Sequence, residues 1–149
     1  MPPSSAVSLP STAADLDAAW LTSALRADGA IGPDARITEV RAERIALETG
    51  FSSELYRLHL TGDSAAPASV VAKLPTTTAV REAMDLVGGY ARELAFYDQV
   101  APNAPLRTPR AHVAQMAAYS TDFVLVLEDL RGWENGDHYA GLLLDRARA

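Results

Sequence analysis

Apolar and polar residues change rhythm several times along the chain, and each change marks an element. Leu16, Ala19, Trp20, Ser23 and Ala24 form a mostly apolar face at helical spacing. Thr12 precedes them as a candidate N-cap, with Asp15 near the positive helix end and Gly29 as a stop. This spacing predicts a helix over 13–28. After Ala35 the period falls to two: Ile37, Glu39, Arg41 and Glu43 alternate with Thr38, Val40 and Ala42. A second alternating run spans Phe51 to Leu60. The turn Glu48-Thr49-Gly50 joins the two, and Gly50 permits backbone shapes that other residues resist. Thr61 to Ala68 reads as a loop, and Ser69-Val70-Val71-Ala72-Lys73-Leu74 as a third strand stopped by Pro75.

A long helix is expected next, over 79–100, with Met84, Val87, Ala91, Leu94 and Ala95 on one face. Gly88-Gly89 weakens its middle by about 1 kcal/mol per glycine relative to alanine, so a bend or close contact is expected there. Pro102 and Pro105 end it. Val113–Ala118 and Phe123–Leu127 read as strands four and five, the fifth apolar on both faces and therefore covered on both. The pattern describes an α+β domain. It has a five-stranded antiparallel sheet, one helix between strands 3 and 4, and an extra N-terminal helix.

The remaining divisions follow from composition. Residues 1–11 are rich in Pro and Ser and read as a flexible tail, 12–130 as the domain, and 131–149 as a polar linker followed by the start of another helix at 139–149. The 149 residues suit one domain. With 19 acidic and 13 basic residues the formal charge is −6, which argues against nonspecific binding to nucleic acid or an anionic membrane. No cysteine is present, which excludes disulfides and thiolate chemistry. No apolar run approaches a bilayer span, and the N-terminus lacks a signal-like pattern, so a cytoplasmic location is expected.

One count changes the picture. Of the basic residues, 12 are Arg and one is Lys, Lys73. In an alanine-rich chain whose lysines have otherwise given way to arginine, a remaining Lys marks a position needing an ammonium. Lys73 also fits a snorkelling side chain, its stem packed and its charge in water. Glu93 borders the apolar face of the long helix, and it equally fits an exposed helical Glu beside Arg92. A Lys on a third strand with a Glu on the next helix is nonetheless an arrangement suited to nucleotide phosphates: the Lys supplies charge and the Glu fixes its position. The turn Glu48–Ser53 would lay backbone N–H groups and hydroxyls over phosphates, or serve only as a turn. Leu127-Glu128-Asp129-Leu130 would offer strand-end backbone groups to a purine edge, or simply end a strand.

Taken together, GFSSELYRL, SVVAKLP, YARELAFYDQVAP, APLRTPR and DFVLVLEDLRG resemble the N-terminal lobe of the aminoglycoside phosphotransferase-like, protein-kinase-fold enzymes, nearest to the bacterial members related to ecdysteroid kinases and choline kinases. The resemblance covers nearly all of 12–149. It implies that Lys73 contacts the α- and β-phosphates of ATP with Glu93 as its ion-pair partner. Gly50, Phe51, Ser52 and Ser53 would cover the nucleotide. Leu127 would line the pocket, and Glu128 and Leu130 would face adenine through their backbones. Gly136-Asp137-His138 would lie past the hinge.

This chain departs from the family in two respects. The nucleotide loop reads Ile45-Ala46-Leu47-Glu48-Thr49-Gly50 where the family is usually rich in glycine, and Glu48 brings negative charge toward the phosphates. The family's H-G-D type catalytic loop and its metal-binding Asp belong to a C-terminal lobe for which these residues carry no sequence. The expectation is the nucleotide-binding lobe of an ATP-dependent small-molecule phosphotransferase, acting on a hydroxyl, with weak or absent ATP binding and no turnover as this chain alone. Mg²⁺ is expected only with the other lobe. The alternative is a non-enzymatic interaction module, or half of a split enzyme that forms a homodimer or binds a separate C-lobe chain.

Overall fold

The computed structural model describes residues 9–46, 52–76 and 79–133. The elements are helix α1 (Ala18–Ala27), strands β1 (Ile37–Ile45), β2 (Ser53–Gly62) and β3 (Ser69–Pro75), helices α2 (Ala79–Leu86) and α3 (Gly89–Ala95), and strands β4 (Ala111–Met116) and β5 (Phe123–Glu128). The five strands form one antiparallel sheet in the order β1-β2-β3-β5-β4. The α+β class, the five strands and the helical insertion between β3 and β4 are those expected from the sequence.

β5 organises the sheet. Phe123, Val124, Leu125, Val126 and Leu127 are all buried, so both faces of this strand need cover. On one face Val124 and Val126 join Leu58, Val70, Ala72, Leu74 and Val113 beneath Leu16, Trp20, Leu21 and Leu25 of the N-terminal helical region. On the other, Phe123, Leu125 and Leu127 pack against Tyr90 and Leu94 of α3. Tyr90 lies over Phe123 with ring centroids 4.6 Å apart.

The N-terminal helix is not continuous over 13–28. A single turn at Ala13–Asp15, boxed by Thr12 and Asp15, ends at Leu16, and α1 starts anew where the Asp17 carboxylate accepts from Trp20 N–H at 2.8 Å. Two acids at 15 and 17 each serve a separate start, and the restart rotates the buried face. Leu21 and Leu25 point inward, while Ala19 and Ser23 are exposed. Gly29, at φ +73°, ends the helix as expected. Thr22 Oγ1 accepts from Ile37 N–H, and Arg26 Nε donates to Ala35 O, which tie α1 to the start of β1. Ordered packing begins before Thr12: Leu9 lies against this core and Pro10 is buried.

The helix between β3 and β4 is also broken. Gly88 adopts φ +62°, a left-handed shape costly for other residues, and caps α3. Gly89 packs against the Met84 side chain, whose terminal methyl lies where a Cβ would sit and would have to move for a larger residue. The break shifts the helical phase, so Tyr90 and Leu94 are the buried pair and Val87 is 56% exposed. A wide turn at Phe96–Val100 and a tight one at Ala101–Asn103 finish the segment. β4 lies two residues earlier than the expected 113–118. Ala117 N–H bonds Asp122 O to close the β4–β5 turn, leaving Ala117 and Ala118 outside the ladder. The expected helix at 139–149 falls outside the described residues.

Leu25 is completely buried between α1 and the sheet. Leu25→Ala is expected to lower unfolding free energy by about 2–5 kcal/mol, read as a shift in the urea midpoint with an unchanged slope.

Candidate functional site

Lys73 lies in β3 opposite Leu55 of β2 and Leu125 of β5. Cross-strand partners share a face, so Lys73 belongs to the α3 side of the sheet. Its Nζ donates to Glu93 Oε1 at 2.5 Å, with side chains 15% and 31% exposed respectively. Lys73 and Glu93 therefore form the ion pair expected of them, joining a central strand to α3. An ammonium this covered needs a partner anion, and Glu93 supplies it. The snorkelling alternative for Lys73 does not fit this placement. Tyr97, one turn beyond Glu93, has its phenol pKa raised by burial and, to a lesser extent, by the Glu93 charge.

α3 covers only part of its face. Leu127 is buried beneath it, while Leu55 and Val71 stay half-exposed on the same face. An apolar floor thus runs beside the Lys73 ammonium. At the near end of β2, Ser52 O accepts from Tyr90 O–H, tying α3 to the strand's entry. Ser53 is 5% exposed as a residue and lies opposite Pro75. Gly50 and Phe51 fall outside the described residues, as do Glu48 and the Gly136-Asp137-His138 segment.

The end of β5 is held from both sides. Glu128 N–H donates to Arg110 O at 2.8 Å, and its carboxylate accepts from Arg107 at 2.7 Å and Arg110 N–H at 3.2 Å. The Glu128 amide is thus engaged within the fold, and any offer to a base falls to its carbonyl. Leu130 O accepts from Trp133 N–H, and Arg107 stacks over the Trp133 ring at 5.1 Å. The next residue, Asp129, makes contacts that the pattern of the strand terminus does not announce. Its side chain is 4% exposed and accepts from Arg57 Nε at 2.9 Å and Ser69 Oγ at 2.6 Å. Nothing in the local pattern reveals this, because both partners lie in strands far away along the chain.

Burial alone would raise the Asp129 pKa. Hydrogen bonds from Ser69 and Arg57, and the charges of Arg57 and Arg131, outweigh it and hold the carboxyl below the ordinary Asp value. Among the described residues no group of three or more His, Asp or Glu side chains is arranged to hold a metal ion. No helix among them is long and apolar enough to cross a membrane. Comparison with family models, curated proteins and solved structures finds no match to this chain.

Two outcomes follow. In a double-mutant cycle of Lys73→Met and Glu93→Gln, unfolding free energies should show a coupling of about 1–2 kcal/mol, between the values of exposed and fully buried pairs. Additive effects would mean that the pair does not hold in solution. For Asp129, a folded pKa below the unfolded value near 3.9 means stability that is whole above that pH and lost as pH falls through the depressed value. The melting-temperature gap between the native chain and Asp129→Asn should be widest near pH 7 and shrink progressively as pH falls below about 4.

Proposed function

We propose that these residues form the nucleotide-binding lobe of an ATP-dependent phosphotransferase acting on a small-molecule hydroxyl. The observation that carries this reading is the Lys73–Glu93 ion pair at 2.5 Å, set beside the half-open apolar floor of Leu55 and Val71. A fixed ammonium suits phosphate oxygens, and a flat apolar floor suits a purine ring. The strand order and the helical insertion between β3 and β4 support the same reading, because they bring Lys73, Glu93 and the end of β5 to one face.

Binding and turnover separate physically. Phosphoryl transfer rests on positioning and on neutralising developing charge with Mg²⁺. The described residues offer no cluster for that ion, so no step is assigned to it. One Lys holding phosphates does not align a nucleophile. The proposal for the described residues is therefore weak nucleotide binding, with no step of transfer assigned to them.

A second reading is a non-enzymatic interaction module. It is favoured by large apolar side chains left bare after α3 and after β5: Leu106 is 77% and Trp133 52% exposed, with Phe96 and Val100 also uncovered. Such residues suit a surface that meets another protein, including a second copy of this chain.

Isothermal titration with ATP, with and without Mg²⁺, tests the first reading. A dissociation constant near the millimolar range, about −4 kcal/mol, is expected, with the heat lost in Lys73→Met and no phosphate transferred to any hydroxyl acceptor. ATP binding that survives Lys73→Met would refute the proposed site. Concentration-dependent sedimentation without any nucleotide heat would favour the interaction module.

A further inference from the structure

We infer that Asp129 is a positioning residue that sets the base selectivity of this lobe; the inference rests on the nucleotide reading above. Its carboxylate receives Arg57 from β2 and Ser69 from the start of β3, and it sits just past the end of β5. One buried anion therefore ties together three strands that are neighbours in the sheet. The preceding acid, Glu128, bonds in the opposite direction, to Arg107 and the Arg110 amide at the entry to β4. The backbone of 128–130 is thereby pinned on both sides.

Strand ends ordinarily fray. A frayed backbone reads a base poorly, because hydrogen bonds weaken steeply with angle. Adenine presents an amino donor beside a ring acceptor. Guanine presents a carbonyl acceptor beside a ring N–H donor, the reverse order. On the nucleotide reading the base meets this backbone through the Glu128 carbonyl and the Leu130 amide, and that acceptor–donor order matches only the first. Lys73 contributes nothing to this choice, since phosphates are common to all nucleotides. Selectivity thus belongs to the Asp129 anchor and bulk affinity to Lys73.

The test titrates the full chain with ATP, GTP and inorganic tripolyphosphate, and measures amide hydrogen exchange over 128–131. The native chain should prefer ATP to GTP. In Asp129→Asn, ATP affinity should fall about tenfold, a 1.4 kcal/mol loss. Its ATP-to-GTP ratio should move toward one, its tripolyphosphate affinity should stay unchanged, and the Leu130 amide should exchange faster. Ser69→Ala removes one hydrogen bond and should give the same changes in smaller measure, which keeps the test open if Asp129→Asn does not fold. Unaltered ATP-to-GTP discrimination in folded variants overturns the positioning role and leaves the nucleotide reading standing. Equal loss toward all three ligands marks a general structural effect and also overturns it. A native chain that binds none of the three removes the nucleotide reading and this inference together.

Discussion

Everything in this domain depends on a strand that cannot face water on either side. Five successive buried apolar residues in β5 demand cover above and below. At roughly 25 cal/mol per Å² of apolar surface, leaving either face bare would cost several kcal/mol. The chain meets the demand with two unrelated helical segments, α1 before the sheet and α3 inserted within it. The candidate site is a by-product of that solution. α3 is short, so it covers Phe123, Leu125 and Leu127 but leaves Leu55 and Val71 half-open. Lys73 stands at the boundary between the covered and open areas, where an ammonium is dry enough to need Glu93 and open enough to meet a ligand.

The polar network extends the same logic to the sheet's lower edge. Arg57, Ser69 and Asp129 sit where apolar cover ends, and charge pairing takes over from packing. On the other face, at the far edge, Asp28 at the end of α1 receives His112 Nδ1 and Arg110, each at 2.8 Å, fastening α1 to β4. Likewise Arg81 of α2 bonds Thr121 and Asp122 in the β4–β5 turn, which anchors a helix that buries no residue of its own. Each of these three edges thus carries an Arg–carboxylate contact, Arg57–Asp129, Arg110–Asp28 and Arg81–Asp122. Such contacts are weak individually when exposed, so these edges depend on the core for their geometry.

Much of this was legible in the sequence because it follows from period and adjacency. Alternation located β1 to β3, the double-sided apolar run identified β5 as covered, and the scarcity of lysine drew attention to Lys73. What failed did so for local reasons. The restart at Asp17 and the left-handed Gly88 each reset a helical phase, so residues placed inward on one continuous wheel, Ala19, Ser23, Val87 and Ala91, face outward. β4 was displaced because Ala117 and Ala118 have no strong preference and the turn at Asp122 decided where pairing stopped. Asp129 was overlooked for a different reason. Its partners come from β2 and β3, and a single sequence carries no sign of which distant groups will converge on a carboxylate.

The sheet order also assigns a cost to building the Lys73 surroundings. β1, β2 and β3 follow one another as hairpins, and β4 and β5 make a second local unit. The seam between the units is β3 against β5, where Lys73 lies opposite Leu125, roughly fifty residues on along the chain. Closing a loop of that length costs about 1.5 kcal/mol more than closing one of ten residues. Non-local pairings of this kind slow folding. The ion pair needs α3 seated on β5, so it belongs to the seam rather than to either hairpin unit. A chain halted before β5 emerges from the ribosome would have its lysine and its glutamate but not the strand on which α3 seats to bring them together.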